Sequence, residues 1–273
     1  MEEKLFKSYI KCGNSADLLK EVQSESVDMV LTSPPYDDIK NYNASLSWTF
    51  ETFKPIASEL KRVLKPGGVI IWVVADKTEK GSETGTSFKQ ALYFKELGLN
   101  IHDTMIYKKL NYVPLTHNRY EQEFEYMFCF SKGRPKTFNP IKIPCKYAGE
   151  STWGKPSFYK TDDDALTPTK KSVIGSEKIK GNVFEYKTGS TTATKKYKHP
   201  AMFPPQLAID QIGTWSEQED IVLDPFMGSG TVGEIAVNMG RHFIGFELEP
   251  KYYEIVKQRV EDNFQMSLDV VCM

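Results

Sequence analysis

The apolar positions along this chain alternate between two periods. Short, β-branched stretches at residues 5–12, 26–32, 69–75, 102–108, 124–131, 221–224 and 242–247 predict strands. Apolar residues at helical spacing mark 48–64, where Phe50, Phe53, Ile56, Leu60 and Leu64 share a face, and also 88–97, 204–213, 230–239 and 250–263. The run 69–75 is continuously apolar and bounded by turn residues, which fits a strand covered on both faces. Lys65-Pro66-Gly67-Gly68 ends the helix before it, because Pro lacks a backbone donor and Gly gains too little from helical order. Strands alternating with helices predict an α/β fold with a mostly parallel, doubly wound sheet. The tail 265–273 is expected to be frayed or edge-packed, and no internal repeat is visible.

Between residues 132 and 198 this regularity fades into Gly, Pro, Ser, Thr and Lys, as in a loop-rich insert or small irregular subdomain. The chain therefore divides into 1–131, the insert 132–198, and 199–273. Charge sharpens that division. The whole chain has 35 basic and 36 acidic residues, but residues 131–199 hold 15 Lys or Arg against 6 Asp or Glu. An acidic body with a basic insert suits a protein that grips a polyanion with one lobe, and a solvated lysine-rich loop would read the same way.

Composition adds bounds. A chain of 273 residues that is 40% hydrophobic and 26% charged can bury a substantial core. The longest apolar run is far short of a membrane span, and the opening MEEKLFKSYI lacks a signal peptide's apolar centre, so a cytoplasmic location is expected. Cys12, Cys129, Cys145 and Cys272 are scattered, without CxxC spacing, and read as reduced thiols with no metal site.

Two motifs carry chemistry. Asp224-Pro225-Phe226-Met227-Gly228-Ser229-Gly230-Thr231 leaves the strand 221–224 and opens a helix. Its glycines let backbone turn sharply beside a ligand, and such loops lie beyond the carboxyl ends of parallel strands, where ligands bind. No Gly-Lys-Ser/Thr follows, so this is not a phosphate-gripping P-loop. The next strand ends at Glu247, placed to accept hydrogen bonds from ribose hydroxyls. A glycine loop and a ribose acid without a phosphate-binding lysine suit a nucleoside cofactor lacking phosphates, such as S-adenosylmethionine. The plainer alternative is a strand–turn–helix that happens to precede an acid.

The second motif, Thr32-Ser33-Pro34-Pro35-Tyr36, follows the strand 26–32. Two prolines fix extended backbone and leave carbonyls unused by any ladder. Those carbonyls, the Ser33 hydroxyl and the Tyr36 ring could together receive an amino group on a flat ring. Alone, this would read as a proline-rich surface turn.

The pair TSPPY and DPFMGSGT resembles the amino-methyltransferases of bacterial restriction–modification systems, and the motif order resembles their beta class. Lys65-Pro66-Gly67-Gly68, the segment His199-Pro200-Ala201-Met202-Phe203-Pro204, and Tyr252 after Glu247 agree with it. Relatives usually carry Gly-Asp where this chain has Gly13-Asn14; the nearest acid is Asp17, and neither has an assigned role.

The resemblance implies a Rossmann-like, S-adenosylmethionine-dependent methyltransferase fold. Its sheet would have seven strands, mostly parallel, with circularly permuted motif order and a target-recognition insert. It implies catalysis by Ser33, Pro34, Pro35 and Tyr36, and cofactor binding by Asp224, Phe226, Gly228, Ser229, Gly230, Thr231, Glu247, His199 and Phe203. DNA contacts would come from Arg119, Lys132, Arg134, Lys146, Lys195 and Lys196. Double-stranded DNA is the implied partner; a companion restriction endonuclease and a homodimer are open.

In this family Ser before the prolines usually accompanies cytosine, and Asp or Asn accompanies adenine. The favoured reaction is therefore methyl transfer to cytosine N4 on a flipped base. Adenine N6, an RNA or small-molecule substrate, and a catalytically silent DNA-binding subunit are the alternatives. Pro144-Cys145 could suggest ring-carbon methylation through a thiolate, but it lies in the insert, away from TSPPY in sequence, and reads as an incidental thiol. Asn118 and Tyr120 flank Arg119 as polar or aromatic contacts, or as a solvated turn. Tyr147, Trp153, Phe158 and Tyr159 could contact DNA or form the insert's own small core.

Overall fold

A computed structural model describes residues 8–35, 48–112, 118–151, 173–187 and 203–263. They form two compact units: Pro140–Gly181, and the remainder of the chain.

In the larger unit the strands are β1 (Ser8–Cys12), β2 (Val27–Thr32), β3 (Leu64–Val74), the short hairpin β4 (Thr78–Glu79) and β5 (Ser82–Glu83), β6 (Asn100–Lys109) and β7 (Phe124–Ser131). The smaller unit contributes β8 (Lys142–Pro144) and β9 (Glu177–Ile179), which pair antiparallel. The larger unit then continues with β10 (Val183–Tyr186), β11 (Ile221–Asp224) and β12 (His242–Glu247). Its helices are α1 (Ser15–Leu18), α2 (Phe50–Val63), α3 (Thr86–Glu96), α4 (Pro205–Trp215), α5 (Thr231–Asn238) and α6 (Pro250–Asn263).

The main sheet has eight strands in the order β1-β12-β11-β2-β3-β7-β6-β10, one more than the seven expected. The extra strand is β10, which adds parallel to β6 at one edge. Hydrophobic periodicity does not reveal it, because it is four residues long within a lysine- and glycine-rich stretch. Phe184 and Tyr186 are buried while Val183 is exposed. β7 pairs antiparallel with both β3 and β6, so it alone runs against the other strands of this sheet.

β2 is buried along its whole length, as are residues 69–74 of β3, which is why they read as continuous apolar runs. One face of the sheet presents Val30, Ile70, Trp72, Phe128 and Leu223 to Phe53, Ile56 and Leu60 of α2 and Phe94 of α3. α2 starts at Phe50, two residues inside the predicted span 48–64, because Thr49 accepts from the Thr52 backbone and Thr52 reciprocates, forming a capping box. α4 and α5 pack on each other, α4 against β2 and α5 against β11 and β12.

The structure corrects the reading of Lys65-Pro66-Gly67-Gly68 as a turn outside any strand. It lies within β3 as a bulge: Val27 pairs with Leu64 and Met29 with Val69, so β3 uses extra residues across one step of β2. Gly68 is needed there, since a Cβ would come within 2.8 Å of the Asp28 carbonyl.

Candidate active site

Because β11 and β2 are parallel neighbours, the two motif loops leave the same edge of the sheet side by side. The last residue of each strand touches the other: the Thr32 hydroxyl donates to Asp224 Oδ1 at 2.6 Å, with both residues buried. The same carboxylate oxygen accepts from the Phe226 N–H at 3.0 Å. Burial pushes the Asp224 carboxyl up to about 7, against the pull of these two donors, and the nearby Glu247 charge adds to the rise. Beyond Thr32, Pro34 is buried while Ser33 and Pro35 are half-buried. Tyr36 lies outside the described residues.

On the other side of β11, β12 brings Glu247 to the same edge. Its carboxylate accepts from the Gly228 N–H at 2.9 Å and from the Glu249 N–H at 2.9 Å. Burial raises its carboxyl above the ordinary value, and these donors oppose that. Gly228 and Gly230 sit at φ 51° and 77°, so both use the left-handed backbone that glycine tolerates. Phe226 turns its ring edge-on to Trp48, with centroids 5.2 Å apart, and lies 6.3 Å from Trp72.

β1 closes this edge. The Gly13 N–H donates to the Glu247 carbonyl at 2.8 Å, and the Ser15 hydroxyl to the Pro225 carbonyl at 2.5 Å. Asn14 caps α1 by accepting from the Ala16 N–H, whereas Asp17 is exposed and pairs with Lys20. Thr32 and Ser15 were not singled out from sequence as parts of this site. Thr32 could have been, as the residue that ends the strand before Ser33.

Ser229 and Thr231 are buried, and Phe203 is half-buried just before α4. His199, Lys195 and Lys196 lie outside the described residues. Lys132 and Arg134 are not brought to the loops. They follow β7, whose reversed direction puts its end at the opposite edge of the sheet. There the Lys132 ammonium donates to the Leu64 carbonyl at 2.8 Å and contacts Glu25 at 3.0 Å, while Arg134 is exposed. Arg119 donates to the Gly81 carbonyl in the β4–β5 turn. Lys146 belongs to the smaller unit, its ammonium 5.3 Å from the Tyr147 ring. Cys145 is in that unit too, its N–H donating to the Ser176 carbonyl. Among the described residues no group of three or more His, Cys, Asp or Glu is arranged to hold a metal ion, and no helix is long and apolar enough to cross a membrane.

The sequence profile of a DNA methylase family, the N6/N4 methyltransferases, matches residues 27–258. The chain belongs to that family. The methylase is 45% identical over 241 residues to the orphan methyltransferase M.BamHII of Bacillus amyloliquefaciens, covering 87% of this chain and 89% of that one. Among solved structures, its fold is similar to that of the PvuII DNA methyltransferase (cytosine-N4-specific). The TM-score is 0.69 at 21% identity, covering 97% of this chain and 92% of the other. It is also similar to the DNA modification methylase TTHA0409 of Thermus thermophilus complexed with S-adenosyl-L-methionine, with a TM-score of 0.63 at 21% identity and coverage of 97% and 99%.

The methylase thus transfers a methyl group to DNA. Residues 224–231 contain no lysine or arginine to hold a phosphate. Glu247 keeps lone pairs beyond its two backbone donors with which it can accept from ligand hydroxyls.

Proposed function

We propose that this methylase acts on the exocyclic N4 amine of cytosine in double-stranded DNA, with the base turned out of the duplex. The observation that carries this reading is the Thr32–Asp224 hydrogen bond. It ties the strand that delivers Ser33-Pro34-Pro35-Tyr36 to the strand that delivers the glycine loop.

An exocyclic amine is a weak nucleophile because its lone pair is conjugated with the ring. The Ser33 hydroxyl and Pro34 carbonyl accept the two amino hydrogens, which biases the nitrogen towards tetrahedral geometry and frees its lone pair. When bound, S-adenosylmethionine supplies an electrophilic methyl group on a sulfonium. Asp224 holds the loop through the Phe226 N–H and Glu247 through the Gly228 N–H, so two neighbouring strands position its backbone. Glu247 has lone pairs left beyond its two backbone donors for a ribose diol. Phe226, wedged against Trp48, offers an apolar wall to the nucleoside. His199 and Phe203 extend the cofactor pocket, and Tyr36 is the stacking platform for the flipped base.

Cytosine is favoured over adenine by two observations. Ser33 occupies the position before the prolines, where its hydroxyl can donate to cytosine N3. The PvuII enzyme, whose fold this chain shares, is cytosine-N4-specific. DNA methylated with labelled cofactor and digested to nucleosides should yield N4-methylcytosine; N6-methyladenine alone would overturn the assignment. Tyr36→Ala should lower turnover far more than cofactor affinity, and unchanged turnover would remove Tyr36 from the base pocket.

A further inference from the structure

We propose that Arg259, on α6, is a positioning residue for the cofactor loop, so that cofactor binding and order of α6 are coupled. This rests on the reading of residues 224–231 as the cofactor loop. The Arg259 side chain is 3% exposed, and three acceptors converge on it. One guanidinium nitrogen donates to the Ser229 carbonyl at 2.7 Å and contacts the Thr231 hydroxyl at 3.4 Å. The other pairs with the Glu234 carboxylate, one turn into α5. Arg259 thus grips the loop and the start of the helix that the loop opens.

The contact is built into the packing. Tyr252, Val256 and Arg259 line one buried face of α6. Val256 presses so closely on the loop that a Cβ at Gly230 would meet its Cγ1 at 2.9 Å. At the other end of the segment, the Glu247 carboxylate bridges the Gly228 N–H and the Glu249 N–H, just ahead of α6. The segment from β12 through α6 therefore holds the glycine loop at two points, a carboxylate on Gly228 and a guanidinium on Ser229. A guanidinium suits the second point because its planar fork can serve a carbonyl, a hydroxyl and a carboxylate together.

Arg259→Met removes the fork while keeping most of the volume. Measured by calorimetry, it should weaken S-adenosylmethionine binding at least tenfold, raise the cofactor KM and leave the KM for DNA unchanged. Arg259→Lys should recover part of the loss. In the unaltered protein, saturating cofactor should slow amide hydrogen exchange in residues 250–259 as well as in 226–231, and this measurement stands even if Arg259→Met fails to fold. Wild-type cofactor affinity in a folded Arg259→Met protein, or protection confined to 226–231, would overturn the proposal. Glu247→Ala is the control for the underlying reading. If it abolishes cofactor binding while Arg259→Met does not, only the role of Arg259 falls. If it binds cofactor normally, the loop assignment falls too.

Discussion

Asp224 keeps its carboxyl where water does not reach, with the Thr32 hydroxyl and the Phe226 N–H as its donors. Thr32→Val would preserve shape and remove one of them, at a cost of about 1–3 kcal/mol in a buried site. Chemical denaturation should register that loss together with a fall in turnover. The carboxyl itself has a pH signature. Raised from 3.8 in the unfolded chain to about 7 in the native one, it binds its proton more tightly when folded. Its contribution to stability is complete below pH 3.8 and is lost as pH rises through 7. Asp224→Asn should therefore flatten the decline in denaturation midpoint between about pH 4 and 7. Glu247 and Asp220, both also raised, leave some slope behind. An unaltered slope in the variant would show that Asp224 does not titrate in this range.

Lys132 makes the opposite case, a charge that looks available in sequence and is committed in the fold. Its ammonium serves the Leu64 and Lys61 carbonyls and Glu25. Lys132→Met should lower stability by about 1–2 kcal/mol and leave DNA affinity as it was, which a filter-binding titration would check.

At the scale of elements, strands β11 and β12 and helix α6 were legible to the residue, because their apolar periods are unbroken and turn residues bound them. The two motif loops leave side by side because β2 and β11 are parallel neighbours in the sheet. Other features left no mark in the sequence. α1 is a single turn announced only by its Asn14 cap, and β10 is too short for a period to show. Arg259 lies 30 residues from the carbonyl it holds, a separation that no local pattern spans. Close packing also sets conditions that periodicity does not reveal. A Cβ on Gly233 would fall 2.5 Å from the Phe243 ring, so α5 approaches β12 only because that position is bare. Gly233→Ala should destabilise the protein by about 1–3 kcal/mol through forced repacking, seen as a lower thermal midpoint.

For the whole molecule, the division of labour expected from charge can be tested directly. The smaller unit, Pro140–Gly181, carries Lys142, Lys146, Lys178 and Lys180 on or beside its two strands. Changing all four to Glu should reduce DNA affinity more than tenfold and make it less steeply salt-dependent, because fewer counterions are released on binding. Cofactor affinity should stay constant. Equal DNA binding by the variant would move the DNA interface elsewhere.

The placement of β2 beside β11 has a consequence for how the enzyme could be taken apart. One strand comes from the first tenth or so of the chain and the other from its last quarter, yet they share a ladder. Cutting the polypeptide in the long interval between them would leave two fragments, each holding one of the two motif loops. Methylation would then rise with the product of the two fragment concentrations, and the enzyme would become a detector of whatever brings its pieces into proximity.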